Sequence, residues 1–171
     1  MSVEERWRTA IHEAGHAVAA AVQGLATHAV TVVPSEDSFG ARTAPNPTYG
    51  YHHEGRTSQH RTVRAEVVAT YAGLAAEHVI LGRPFPPDEN QPPCGAEDDF
   101  AEAWALLLTV PVRGSSWVGD DAYDRADDRL RRQALKLMAQ HRMTVQRLAE
   151  ALLKAGTLTG QDVEAIVLGP R

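Results

Sequence analysis

Residues 12 to 16 read His12-Glu13-Ala14-Gly15-His16, two imidazoles one helical turn apart with a carboxylate beside the first. Residues i and i+4 share a helix face, so His12 and His16 can offer two nitrogens to one metal ion. Glu13 is rotated about 100° from His12 and can reach a water on that metal without itself being a ligand. Neutral imidazoles bind zinc and leave it electrophilic, and an open coordination position lets water ionise near neutral pH. A carboxylate at that water can take its proton and later deliver it to a leaving amine. The chemistry these residues specify is hydrolysis of a peptide bond, with Zn2+ as cofactor and Glu13 as general base.

The pattern is short, so coincidence has to be weighed. With 8 histidines and 12 glutamates in 171 residues, composition alone yields roughly 0.03 accidental matches. The competing reading is a pair of ordinary histidines on an amphipathic helix. It is the weaker one, because the match lies inside a capped and periodic segment. A catalytic zinc also needs a third protein ligand. No further histidine follows at short spacing, so a carboxylate is expected. Glu77, in Ala72-Gly73-Leu74-Ala75-Ala76-Glu77, and the adjacent Asp98 and Asp99 are the candidates. Spacing does not choose between them.

These residues must be positioned by the elements around them. Ser2 and Glu5 form a capping-box pattern and Gly24 a stop. Between them Ile11, Ala14, Val18, Ala21, Val22 and Leu25 recur at helical spacing. His28-Ala-Val-Thr-Val-Val-Pro34 is a β-branched run closed by proline, which predicts a strand. Residues 35–60, rich in Gly, Pro, Ser, Thr and Asn, predict a long surface excursion with a second short strand near Tyr49-Gly50-Tyr51-His52. Further helices are expected from about Thr62 to Leu81, from near Glu97 to before Pro111, over Asp121 to Gln140 and over Thr144 to Ala155. Thr159 can cap a short last one. Small residues at 69, 73 and 76 let the second helix approach the first closely. The expectation is a mainly helical fold with a small β element, in one domain spanning residues 1–171.

Composition excludes several classes. The net charge of -5 gives no broad basic footprint for nucleic acid. The single cysteine, Cys94, excludes an intrachain disulfide and a Cys-rich zinc cluster, and suits a reducing compartment. The first residues, Met-Ser-Val-Glu-Glu-Arg, lack the apolar run of a secretory leader. Ala14 to Val33 is interrupted by His16, Gln23 and His28, so no membrane span is expected. A cytoplasmic location follows as the expectation. His52, His53 and His60 read as a His-bearing loop rather than a second metal site. Cys94 has no visible base to make it a nucleophile. Arg125, Arg129, Arg131 and Arg132 alternate with Asp124, Asp127 and Asp128, which reads as a solvated, ion-paired helix face. Trp7, Trp104 and Trp117 read as core or partner-contact aromatics.

Taken in order, these segments resemble the protease domain of the FtsH family, the ATP-dependent membrane zinc proteases. His12 to Val18 is similar to that family's zinc helix, and His28 to Pro34 to the strand that follows it. Gly50-Tyr51 resembles the family's Gly-Tyr, and Ala72 to Glu77 its Gly-Gly-Arg-Ala-Ala-Glu helix. Gly95-Ala96-Glu97-Asp98-Asp99-Phe100 resembles Gly-Ala-Ser-Asn-Asp-Leu, while Arg147 to Leu153 and Thr157 to Gly160 are similar to the C-terminal helices. The resemblance implies a zincin-like metalloprotease fold of the FtsH peptidase type. It also implies Asp99 as the third zinc ligand and Glu77 as a group behind the ligands. These 171 residues contain no phosphate-binding loop and no stretch expected to anchor in a membrane, so neither a motor domain nor an anchor is expected. His78 stands where a second Glu is usual, and the excursion from Ser35 to His60 differs.

Three functions compete on these grounds. The leading one is a peptidase acting on peptides or unfolded protein without ATP, with a separate ATPase as a candidate partner. The second is a catalytically idle peptide-binding module, against which the intact Glu13 argues. The third is hydrolysis of a non-peptide amide. An extended substrate is expected to pair with a sheet edge, for which Gly50-Tyr51-His52 is the candidate.

Overall fold

Ser2 caps the first helix, α1 (Val3–Val22), by accepting a hydrogen bond from the Glu5 amide. The Glu5 carboxylate reciprocates by accepting from the Ser2 amide at 2.5 Å. This is the capping box expected from the sequence, and Gly24, at φ +74°, turns the chain out of the helix. The computed structural model describes residues 2–33, 43–45, 56–86 and 96–169. The order continues β1 (Thr27–Thr31), β2 (Thr43–Pro45), α2 (Arg56–Leu81), α3 (Ala96–Leu107), α4 (Asp121–Gln140), α5 (Arg142–Ala155), β3 (Thr157–Thr159) and α6 (Gly160–Leu168).

The small β element is a three-stranded antiparallel sheet of order β2-β1-β3. Val30 sits opposite both Thr43 and Leu158. β1 stops short of Pro34 because the Thr31 hydroxyl accepts from the Val33 amide and bends the chain there. β2 falls inside the stretch expected to be a surface excursion. The strand expected near Tyr49 to His52 lies outside the described residues, as do the expected edge Gly50-Tyr51-His52 and Cys94. β3 was not anticipated. Gly156, at φ +77°, ends α5 and folds Thr157–Thr159 back onto β1 before Thr159 caps α6 with Asp162. α2 begins six residues before Thr62, since Arg56 to Arg61 contain no apolar residue to mark the start.

α1 is the central element. Ala10, Ile11, Ala14, Ala17, Val18 and Ala19 have no exposed surface, which only a helix packed on several sides achieves. Its closest neighbour is α2. A Cβ on Gly15 would lie 2.5 Å from the Ala72 carbonyl oxygen and 2.7 Å from the Ala76 Cβ, so the two backbones meet where neither side can grow. α2 then packs on α3 and α4 around the buried Tyr71, Leu107, Leu130 and Met138. No helix among the described residues is long and apolar enough to cross a membrane.

Trp7 and Trp104 are half-buried against the core, and Trp117, read as a core or partner-contact aromatic, is 70% exposed. One expectation needs correcting: Asp127 and Arg131 leave the solvated face assigned to them. Asp127 is buried and accepts from the Tyr71 hydroxyl at 2.5 Å, and its other oxygen pairs with Arg131 one turn on. The Arg131 guanidinium lies 4.7 Å from the Phe100 ring centroid and 5.5 Å from that of Tyr71. Asp124, Arg125, Asp128, Arg129 and Arg132 do remain exposed. The signal was present in the periodicity, because position 127 falls on the stripe formed by Tyr123, Leu130 and Ala134.

Burial and the adjacent Asp127 carboxylate push the Tyr71 phenol well above its usual range. The raised phenol stays protonated in the fold while an unfolded tyrosine ionises near pH ~10. Its contribution is therefore complete below about pH 10 and declines above it. Asp127→Ala should cost about 3 kcal/mol, the low end for breaking a buried pair because Arg131 keeps an exposed face. Tyr71→Phe should cost about 1.5 kcal/mol and flatten the loss of stability above pH ~10. Denaturant melts across pH check both; an Asp127→Ala variant as stable as the parent would remove the trio from the fold's energetics.

Candidate metal centre

The second ring nitrogens of the two histidines fix where the first ones point. His12 Nδ1 lies 2.8 Å from Glu77 Oε1, and His16 Nδ1 lies 2.8 Å from the Ala69 carbonyl oxygen. Both partners are acceptors on α2, so each Nδ1 carries the hydrogen. In the neutral imidazoles each Nε2 then presents a lone pair, and the two Nε2 atoms face one another across 3.0 Å. That arrangement lets one cation, a proton or a metal ion, be held between them.

Asp99, on the first turn of α3, completes the group. Its Oδ2 stands 3.1 Å from His12 Nε2 and 3.5 Å from His16 Nε2. That oxygen is buried and makes no hydrogen bond among the described residues. His12, His16 and Asp99 thus offer three ligand atoms within 4.8 Å of one another. Two imidazole nitrogens and one carboxylate oxygen are donors that zinc accepts, and three protein ligands leave a position open for chemistry. The residues fit such an ion.

The field of the site agrees with the geometry. Burial opposes charge on His12, yet the Asp99 and Glu77 carboxylates outweigh it and raise its pKa to about 10. His16 is raised as well, against burial, chiefly by Asp99. Burial would raise Asp99, but the charges of His16 and His12 hold it far below the usual carboxylate range. Glu13, 5% exposed on α1, adds negative potential at both imidazoles. A cation is what this cluster of carboxylates stabilises.

Among the expected site residues, His12, His16 and Asp99 come together and Glu13 lies beside them. Glu77 is on the far side of His12, at the nitrogen away from the convergence point. The Asp98 side chain, His52 and His53 lie outside the described residues. His60, half-buried near the start of α2, joins no such cluster among the described residues. Sequence reasoning missed three participants. The Ala69 carbonyl carries no side-chain signature. Arg8 and Arg83 bind Glu77, and only Arg8, one turn before His12, had a spacing that could have exposed it. Gly73 was read as a helix-contact residue, but it also floors the site. A Cβ there would lie 2.4 Å from His16 Nε2 and 2.9 Å from His12 Cε1.

The profile of peptidase family M41 matches residues 1–110. Proteins named ATP-dependent zinc metalloprotease FtsH are similar over almost the whole chain. That of Thermobaculum terrenum is 26% identical, the match covering 98% of this chain and 29% of the relative. That of Thermus thermophilus is 27% identical over 99% and 30% respectively. FtsH 1 of Symbiobacterium thermophilum is 30% identical over 95% and 29%. The chain therefore spans less than a third of the length of these relatives.

Gly73 supplies a test of the convergence. On propensity alone Gly73→Ala should stabilise α2 by up to ~1 kcal/mol. The contact distances predict the opposite for the site, with zinc retention under a mild chelator falling by at least about tenfold. Metal analysis after dialysis measures this, and wild-type retention by a folded Gly73→Ala protein would show that the rings do not meet over Gly73.

Proposed function

This chain belongs to peptidase family M41, and from that premise we propose that it is a zinc-dependent metallopeptidase hydrolysing peptide bonds. His12, His16 and Asp99 hold the metal and Glu13 is the general base. The observation carrying the reading is the meeting of two oriented Nε2 atoms with a buried, otherwise unbonded Asp99 oxygen. Zinc bound there supplies a Lewis acid that polarises the scissile carbonyl and brings the ionisation of water to near neutral pH.

The chain's own residues do the rest. Glu77 and the Ala69 carbonyl hold the imidazoles in the ligating tautomer. Glu13 accepts the proton of the attacking water as the new carbon–oxygen bond forms. It then delivers that proton to the amide nitrogen as the carbon–nitrogen bond breaks. A peptide-binding module without catalysis would need no such base. An extended substrate would reach the site most readily by adding to an edge of the β2-β1-β3 sheet.

Hydrolysis of a peptide bond is downhill and needs no nucleotide, so this chain by itself should cut flexible peptides without ATP. Folded substrates, stable by about 5–15 kcal/mol, expose little chain and would need an unfolding partner such as a separate ATPase. A cytoplasmic site of action belongs to the same proposal and rests on the lone Cys94, which suits a reducing compartment.

Purified protein should carry about one zinc per chain. Asp99→Ala should largely abolish binding, whereas Glu77→Ala should weaken it by about 10–100-fold. Chelator titrations rank the two, and a greater loss in Glu77→Ala would reverse their roles. Glu13→Gln should keep its zinc yet lose hydrolysis of an unstructured peptide library by about 10²–10⁴-fold, with or without ATP. Undiminished turnover in Glu13→Gln would mean that another group takes the proton.

A further inference from the structure

Glu77 is buried to 3% exposure, and its two oxygens are divided between different partners. Oε1 faces His12 Nδ1 at 2.8 Å. Oε2 accepts from Arg8 Nε at 2.6 Å and pairs with Arg83 Nε at 3.2 Å. Arg8 lies one turn before His12 on α1. Arg83 lies just past the end of α2, in a turn closed by His78, whose Nδ1 sits 2.6 Å from the Arg83 carbonyl oxygen. Gly82, at φ +72°, lets the chain reverse there. The two guanidinium groups thus reach one carboxylate oxygen from the helix carrying the histidines and from the turn that leads toward α3.

We infer that Arg8 and Arg83 are positioning residues for the metal centre. By occupying Oε2 of Glu77 they leave Oε1 as the acceptor for His12 and hold His12 Nε2 toward the ion. The inference rests on the metal reading of the site. A buried carboxylate stripped of both guanidinium partners would carry a bare Oε2, which is costly for a buried anion. Glu77 would relieve that cost by turning or by recruiting water, and the His12 ring would lose its fixed direction. Neither arginine can ligate a metal, because a guanidinium has no lone pair to give.

The sign of the effect separates positioning from bare charge. Two guanidinium charges repel a nearby dication, so through-space electrostatics alone predicts tighter metal binding once they are removed. Positioning predicts weaker binding. It also predicts that the arginines matter only while Glu77 is present to transmit their effect.

The test is Zn2+ competition against a chromophoric chelator, on the whole chain, for wild type, Arg8→Met/Arg83→Met, Glu77→Gln and the triple variant. The double variant should bind Zn2+ roughly tenfold more weakly, approaching the loss of a partner behind a ligand. In the Glu77→Gln background the two arginine changes should add less than about twofold. Unchanged or tighter binding in the double variant overturns the inference, and so do fully additive losses. Circular dichroism of the metal-free proteins confirms folding. If the double variant is unfolded, Arg83→Met alone carries the test, since its side chain is 36% exposed. Failure of wild type to take up Zn2+ overturns the metal reading and this inference together. Uptake by wild type with an unaffected double variant overturns this inference alone.

Discussion

The contact between the α1 and α2 backbones sets the rest of the structure. Gly15 lies against the Ala72 carbonyl and the Ala76 methyl, and Gly73 lies under both imidazoles. A methyl group at either glycine would overlap atoms already at van der Waals distance. The same proximity lets Ala69 and Glu77, two turns apart on α2, reach the Nδ1 atoms of His16 and His12. Were the helices to part by an ångström, those hydrogen bonds would lengthen beyond useful range and the rings would lose their direction. Packing and the geometry of the histidine pair are here one constraint, which accounts for the small residues along this stretch of α2.

Electrostatics imposes a second demand. Asp99, Glu13 and Glu77 gather around two imidazoles in a largely buried space, where unpaired charge is costly. Arg8 and Arg83 offset part of that charge through Glu77, and the remainder favours a cation at the Nε2 atoms. On the other side of α2 a separate trio serves α3. Tyr71 binds Asp127, Asp127 binds Arg131, and Arg131 covers Phe100, the residue after Asp99. Tyr71 and Phe100 also pack as tilted rings, 57° between their planes and 5.0 Å between centroids. α2 thus carries the partners of both histidines on one face. On another it contacts the helix that delivers the third carboxylate.

Much of this was legible in the residues. His12 and His16 were readable as a pair because helical periodicity is local and needs no knowledge of the fold. The caps at Ser2 and Thr159 and the span of α4 were readable for the same reason, since each is decided by neighbours within a turn. β3 was not, because three residues between two helices become a strand only when β1 stands beside them. The inward turn of Asp127 and Arg131 was also obscured. Charge pattern suggested a wet surface, and the opposing clue, position 127 on the apolar stripe, acquires weight only once Tyr71 is there to meet it.

The sequence by itself determined a helix bearing two imidazoles and a carboxylate, a mainly helical fold with a small sheet, and a short set of acids from which a third ligand could come. The tertiary structure decided which acid meets the imidazoles and which stands behind them. Asp99 approaches the Nε2 side and Glu77 the Nδ1 side of His12, a distinction between two faces of one ring. Spacing along the chain cannot express it. The approach of α2 to α1 and of α3 to α2 rests on glycine contacts and ring packing between segments far apart in sequence, and those forces exist only once the chain has closed on itself.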